Sequence, residues 1–203
     1  GAGRPGGVNV VPRRVGREGR MEACMGAGVG QVGVGGGVPK GHAIRRWKEG
    51  GVRVSCCAPA RVLGHRLLRA GADALVIEGS EAGGHIGPVS TSVLAQEMLP
   101  LIADQLPVFV AGGIGRGEAI AGYLEMGAAG VQLGTRFVCA TESIAHPNFK
   151  KAFIRASARD AIASVQIDPR LPVIPVRALK NSSSELFTAK QREVAQLLDE
   201  GKV

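Results

Sequence analysis

Aromatic side chains are scarce in this chain, with one Trp, one Tyr and five Phe among 203 residues, so any core it builds must be aliphatic. No run approaches the ~20 apolar residues that span a bilayer, and the start, rich in glycine and arginine, lacks the apolar centre of a secretion signal. A soluble protein with no membrane partner is therefore expected. Cysteine is limited to Cys24, Cys56, Cys57 and Cys139, with no CxxC pair and no His/Cys spacing of metal type. No metal site is expected, and free thiols fit a reduced, cytoplasmic setting. Acidic residues are what the first third lacks: residues 1–70 carry 13 Lys/Arg against 3 acids, while the remainder carries 12 against 14. Arg13, Arg14, Arg17 and Arg20 could contact phosphates, but no aromatic residues are interleaved there for base stacking. A solvated basic face is the expectation, with no nucleic-acid partner.

What the chain does have is aliphatic patterning. At 45% hydrophobic it can bury a substantial core. Short apolar runs at Val52–Cys56, Asp73–Ile77, Pro107–Ala111 and Gly130–Leu133 alternate with helix candidates at Ala60–Ala70, Ser90–Asp104 and Glu118–Met126. That alternation predicts repeated strand-helix units around a parallel sheet. Val62, Leu63, Leu67 and Ala70 are expected on the buried face of their helix, Ser90 or Thr91 as an amino-terminal cap, and Gly127 as a left-handed helix end. Upstream, Val8–Val11 and Gln31–Val34 read as two more strands, with Lys40–Glu49 as a helix. Between those strands a frayed or irregular element is expected, because 13 of the first 37 residues are glycine. After Leu133, Ala145–Ala156 reads as a helix, Leu171–Val176 as a proline-broken extended piece, and Ser184–Glu200 as an amphipathic helix with Ser182–Ser184 as caps. Its Leu186, Phe187, Val194, Leu197 and Leu198 are expected to pack against something.

Three strand ends carry glycine-bearing loops: Glu78-Gly79-Ser80-Glu81-Ala82-Gly83-Gly84-His85, then Ala111-Gly112-Gly113-Ile114-Gly115-Arg116-Gly117, then Gly134-Thr135-Arg136-Phe137. All fall on the carboxyl-terminal face of a parallel sheet, where sites are built. The last two follow consecutive strands, the usual position of a phosphate in a strand-helix barrel. Gly112, Gly113 and Gly134 can offer bare N–H groups and Thr135 a hydroxyl. The competing reading is that each glycine pair only makes a tight turn. His85, presented by Gly83 and Gly84, is placed like a reactive group. His42 and His65 are expected to be exposed on outer helices, His146 to cap a helix before Pro147, and Cys139 to be a small core residue.

These three stretches, with Gly71-Ala72-Asp73-Ala74 before the first and Gly130-Val131-Gln132-Leu133 before the last, closely resemble the nitronate monooxygenase family, which includes enoyl-acyl-carrier-protein reductase II. Gly7-Val8-Asn9-Val10-Val11 resembles that family's Gly-Val-Asn strand. The resemblance implies an FMN-dependent α/β barrel of the TIM (β/α)8 type. It would place the cofactor's phosphate on Gly112, Gly113, Gly134 and Thr135. Other cofactor contacts would fall on Asn9, Glu78, Gly83, Gly84 and the strand-end Ala111. It would set His85 beside flavin and substrate, as base toward a nitroalkane or as holder of an anionic nitronate, with oxygen as co-substrate.

About six of eight strand-helix units match, so the expectation is an incomplete barrel over residues 1–180, followed by a helical appendage at 181–203, from a fragment or truncated gene product. Open edges would favour self-association. Three other functions stay open at the level of sequence: NAD(P)H-dependent reduction of enoyl thioesters by the same fold, a flavin-free phosphate-binding barrel enzyme, and an inactive remnant.

Overall fold

The computed structural model describes residues 7–11, 17–35 and 39–202. Arg13 and Arg14 lie outside the described residues, as do the side chains of Arg17 and Arg20. The chain divides into two compact units, one of residues 1–80 with 87–132, the other of residues 81–86 with 133–203.

The first unit alternates strand and helix: β1 (Gly7–Val10), α1 (Arg17–Gly26), β2 (Gln31–Val34), α2 (Gly41–Glu49), β3 (Arg53–Ala58), α3 (Arg61–Arg69) and β4 (Ala74–Glu78). After β5 (Gly84–His85), which belongs to the second unit, come α4 (Thr91–Ile102), β6 (Val108–Ala111), α5 (Gly117–Glu125) and β7 (Gly130–Gln132). The six strands other than β5 form one wholly parallel sheet in the order β1-β2-β3-β4-β6-β7. Strand order follows chain order without a reversal. Right-handed crossovers then lay every helix on the same face, which curls the sheet toward a barrel and excludes a doubly wound sheet. The first unit is thus an incomplete (β/α) barrel.

Burial follows from that winding. Val54, Cys56, Leu75, Ile77, Val108 and Val110 point toward the helices and are fully buried, against Ile44 and Trp47 of α2, Leu67 of α3 and Leu94, Met98 and Ile102 of α4. At the amino ends of the strands, Asp73 ties this layer together. Its Oδ2 accepts from the Val54 N–H at 2.8 Å, and its Oδ1 accepts from Lys48 Nζ at 2.8 Å.

Three expectations are corrected here. The segment expected to be irregular contains the ten-residue helix α1. Within it only Gly19 and Gly26 are glycine, and Gly28, at φ +67°, lies beyond its end. Tertiary contacts hold it: Cys24 is buried in the core and Glu22 Oε1 accepts from Arg46 Nη2 at 2.8 Å. In α3, Val62 is 73% exposed, while Gly64 and Leu67 are the buried pair. A Cβ at Gly64 would collide with Met98, so α3 meets α4 through a glycine, a contact that apolar periodicity does not register. His65, expected on the surface, is half-buried on the same helix, whereas His42 is exposed.

In the second unit, α6 (Thr135–Val138), α7 (Pro147–Arg155), β8 (Ala161–Ala163), β9 (Val176–Leu179) and α8 (Ser182–Asp199) accompany β5. A small antiparallel sheet runs β5-β9-β8. The expected extended piece at 171–176 is strand only from Val176 onward, because Pro172 and Pro175 lack the N–H a ladder needs. His146 does cap α7, its Nδ1 accepting from Asn148 N at 3.1 Å. Asn181, rather than Ser182–Ser184, caps α8 through a capping box with Ser184. Leu186 and Phe187 of α8 are exposed, and the residue of that helix that is buried is Gln191. Gln191 accepts from Ile167 N at 3.2 Å and donates to Val165 O at 3.0 Å.

Among the described residues, no helix is long and apolar enough to cross a membrane, and no His/Cys/Asp/Glu cluster could hold a metal ion.

Candidate active site

The face of the parallel sheet turned away from the helices is chemically different. Strand alternation and register put Asn9, Gly33 and Ser55 in one row across β1, β2 and β3. Cys57, Val76, Phe109 and Gly130 form the next row, and Glu78, Ala111 and Gln132 the row nearest the carboxyl ends. Glycine is used deliberately on β2. A Cβ at Gly33 would sit 3.3 Å from Asn9 Oδ1 and 3.6 Å from Ser55 Oγ. One at Gly35, just past the strand, would sit 3.5 Å from Cys57 Sγ and 3.7 Å from the Asn9 amide atoms. Bare backbone at these positions lets the Asn9 side chain lie over β2 toward β3.

Cys57 and Glu78 face the same side of the sheet from the adjacent strands β3 and β4. Burial pushes the Cys57 thiol up to about 12, helped by the negative charge of Glu78, so it remains an S–H donor at physiological pH. Burial also raises the Glu78 carboxyl above the usual carboxylate range, and the Cys57 thiol opposes that rise in part.

The glycines of the first loop do two jobs. A Cβ at Gly79 would strike Thr91 N and Val89 O, and one at Gly87 would come within 2.8 Å of Glu78 O. These two are required by close backbone approach. Gly83 and Gly84 face open space, and Gly84, at φ +83°, adopts a conformation that other residues resist. Thr91, buried at the start of α4, accepts from Gly79 N at 3.2 Å and donates to Ala111 O at 3.5 Å, clamping the carboxyl ends of β4 and β6 together. After β6, Gly112 and Gly113 stand at φ +98° and +73°. The α5 helix that follows starts at Gly117 without a side-chain cap, leaving amino-terminal N–H groups unpaired by its own cap residue.

The sequence-selected residues therefore divide between the units. Asn9, Glu78, Ala111, Gly112 and Gly113 share the carboxyl-terminal part of the first unit's sheet. Gly83, Gly84, His85, Gly134 and Thr135 belong to the second. There, His85 is exposed and pairs with Val176 on the edge of the small sheet, Ile86 N donates to Pro175 O at 3.2 Å, and Gly134 and Thr135 open α6. Of the positions that reasoning from sequence passed over, Gly33 and Gly35 had a legible signal, since two glycines spaced by two share one strand face. Ser55 and Cys57 had the same signal one strand on. Thr91 had none beyond its candidacy as a cap.

A singly wound parallel sheet defines the class, a barrel-type α/β protein, and the carboxyl end of its strands, where Glu78, Gly112 and Gly113 lie, is the candidate site. Residues 7–199 match the nitronate monooxygenase family. The chain belongs to that family, which is one of oxidoreductases. It is 32% identical over 190 residues to the (3aS,4S,5R,7aS)-5-hydroxy-7a-methyl-1-oxo-octahydro-1H-indene-4-carboxyl-CoA dehydrogenase of Mycobacterium tuberculosis, covering 93% of this chain and 52% of that protein. It is 38% identical over 123 residues to a nitronate monooxygenase of Pseudomonas aeruginosa, covering 57% of this chain and 35% of that one. The solved structure of FabK from Thermotoga maritima superposes with a TM-score of 0.87 at 34% identity, over 97% of this chain and 61% of that chain. The chain thus spans about half the length, or less, of these curated relatives.

Proposed function

We propose that this chain carries a flavin site of an FMN-dependent oxidoreductase that oxidises alkyl nitronates with molecular oxygen. The observation that carries the reading is the Asn9 amide laid across a glycine-cleared β2, with the positive-φ Gly112 and Gly113 at the carboxyl end of β6, in a chain of this family. A flavin mononucleotide asks for a flat, unobstructed surface and for N–H donors around its phosphate. Gly33 and Gly35 let the Asn9 amide lie flat across β2, and the positive-φ Gly112 and Gly113 supply backbone N–H groups without side chains, so the residues present fit the group. Gly112, Gly113, Gly134 and Thr135 would hold the phosphate, and Asn9, Glu78, Gly83, Gly84 and Ala111 the rest of the cofactor. When bound, FMN supplies the electron transfer.

The protein's share is binding and proton handling. The Asn9 amide offers both a donor and an acceptor. The exposed His85 imidazole takes a proton from the acidic carbon of a nitroalkane, or donates to the oxygens of an anionic nitronate. Reconstitution with FMN followed by oxygen uptake on an alkyl nitronate tests the reading. Nitronate-dependent uptake is expected, with His85→Ala slowing it about 10²–10⁴-fold while leaving FMN affinity unchanged. A flavin-loaded protein without nitronate-dependent uptake would overturn the substrate, and failure to bind FMN would overturn the cofactor.

One observation favours a second reading. The relative matched over 93% of this chain is named for a CoA thioester substrate. In that reading the same site serves NAD(P)H-dependent reduction of enoyl thioesters, and NAD(P)H consumption with an enoyl thioester would exceed nitronate turnover.

A further inference from the structure

Two neighbouring cysteines on β3 have opposite surroundings. Cys56 faces the helices and is fully buried among aliphatic side chains, a core residue. Cys57, one step along the strand, faces the other way, beside the Gly35 position and the Asn9 amide and on the same face as Glu78 of the adjacent strand β4. Asn9, Gly35, Cys57 and Glu78 come from four successive strands or their ends and run diagonally across the sheet toward its carboxyl side, the glycine leaving Asn9 and Cys57 side by side.

On that diagonal Glu78 has few ways to be satisfied. β6, its neighbour on one side, contributes Val108, Phe109, Val110 and Ala111, none with a polar side chain. The neighbouring Gly79 N–H is committed to Thr91. On the other side β3 presents Cys57, and register places Cys57 opposite Val76, one inward-facing position from Glu78 on the same face. A half-buried carboxyl needs a donor to ionise and a fixed partner to hold one rotamer.

We propose that Cys57 is a positioning residue, whose thiol donates to the Glu78 carboxyl and holds it in the orientation that meets the cofactor. This rests on the reading of Glu78 as a cofactor-binding residue. The thiol suits the role because it stays protonated where a solvent-exposed cysteine would begin to ionise, and its bulk fills the space beside Gly35. A weak S–H donor orients the acid without locking it in the charged form.

The test compares Cys57→Ala, Cys57→Ser and Cys57→Val in the 203-residue chain. In cofactor-free protein carrying carboxyl-labelled glutamate, with Glu78→Gln to assign the signal, the Glu78 titration midpoint is followed by carbon NMR. Cys57→Ala and Cys57→Val, which remove the donor, are expected to move the midpoint upward, and Cys57→Ser to keep it near the native position. FMN binding to the same proteins is expected to weaken about threefold to tenfold for the two donor-less variants and to be restored in Cys57→Ser. Cys57→Val keeps the core filled if the alanine cavity compromises folding. An unmoved midpoint in Cys57→Val, or a Cys57→Ser variant that behaves like Cys57→Val, overturns the proposal. If the native chain binds no FMN, the flavin reading fails, while the midpoint in cofactor-free protein still decides whether Cys57 sets Glu78.

Discussion

On the face of the sheet that meets α2, α3 and α4, Val54, Cys56, Leu75, Ile77, Val108 and Val110 are fully buried. The other face of the same strands carries the polar Asn9, Ser55, Cys57, Glu78 and Gln132 and glycine at Gly33 and Gly130 beside the apolar Val76, Phe109 and Ala111. One backbone thus serves two environments. Where helices cover it, stability demands branched aliphatic residues and excludes polar atoms. Where no helix lies, the strands can give up packing for hydrogen-bonding groups and open backbone. The difference teaches that the stability of this unit and its chemistry are carried by alternate residues of the same strands, and can be changed separately.

The sharpest way to break that division is on the covered face. Leu75→Ala should destabilise the first unit by about 2–5 kcal/mol through lost burial and a cavity, seen as a lower denaturation midpoint. Gly112→Ala should have a smaller effect on folding, about 1–3 kcal/mol, because φ +98° strains any side chain, and it should weaken FMN binding as well. Glu78 provides a pH-dependent test on the uncovered face. Its carboxyl is raised above the unfolded value, so the folded state holds the proton more tightly. Its contribution is fully present below the unfolded carboxylate range and is lost as pH rises through the raised folded value. Glu78→Gln should therefore gain stability relative to the native chain on going from pH 4 to pH 7, read from denaturant unfolding at both. The mildest change is Gly33→Ala. Its new Cβ meets Asn9 Oδ1 at 3.3 Å, so the amide must shift by a few tenths of an ångström, with a stability change below about 1 kcal/mol and a measurable change at the Asn9 amide signals.

Much of the first unit was legible in its sequence for the same reason. β2, β3, β4, β6 and β7 announce themselves as short apolar runs, and the glycine-bearing ends of β4 and β6 mark the side on which the candidate site lies. Where reading failed, a long-range contact had outweighed a local preference. Glycine composition argued against α1, yet Cys24 and Glu22 hold it against the rest of the unit. Apolar spacing put Val62 inward, yet the close approach of Gly64 to Met98 turns the helix otherwise. Of the site, Glu78, Gly112 and Gly113 were legible as strand-end residues. The nearness of Cys57 to Glu78 was not, since alternation along β3 turns Cys57 away from the helices without saying which residue of another strand lies beside it.

The sequence alone determined the parallel strand-helix order, the aliphatic core and the family, because periodicity and strand-end glycines are local properties. Tertiary structure decided which of Gly79, Gly83, Gly84 and Gly87 are demanded by packing and which lie open. It also decided that Thr91 clamps two strands and that Asn9 crosses a glycine-cleared β2. These depend on which strands become neighbours and in what register, and that is set by burying one face of the whole sheet at once rather than by any single segment.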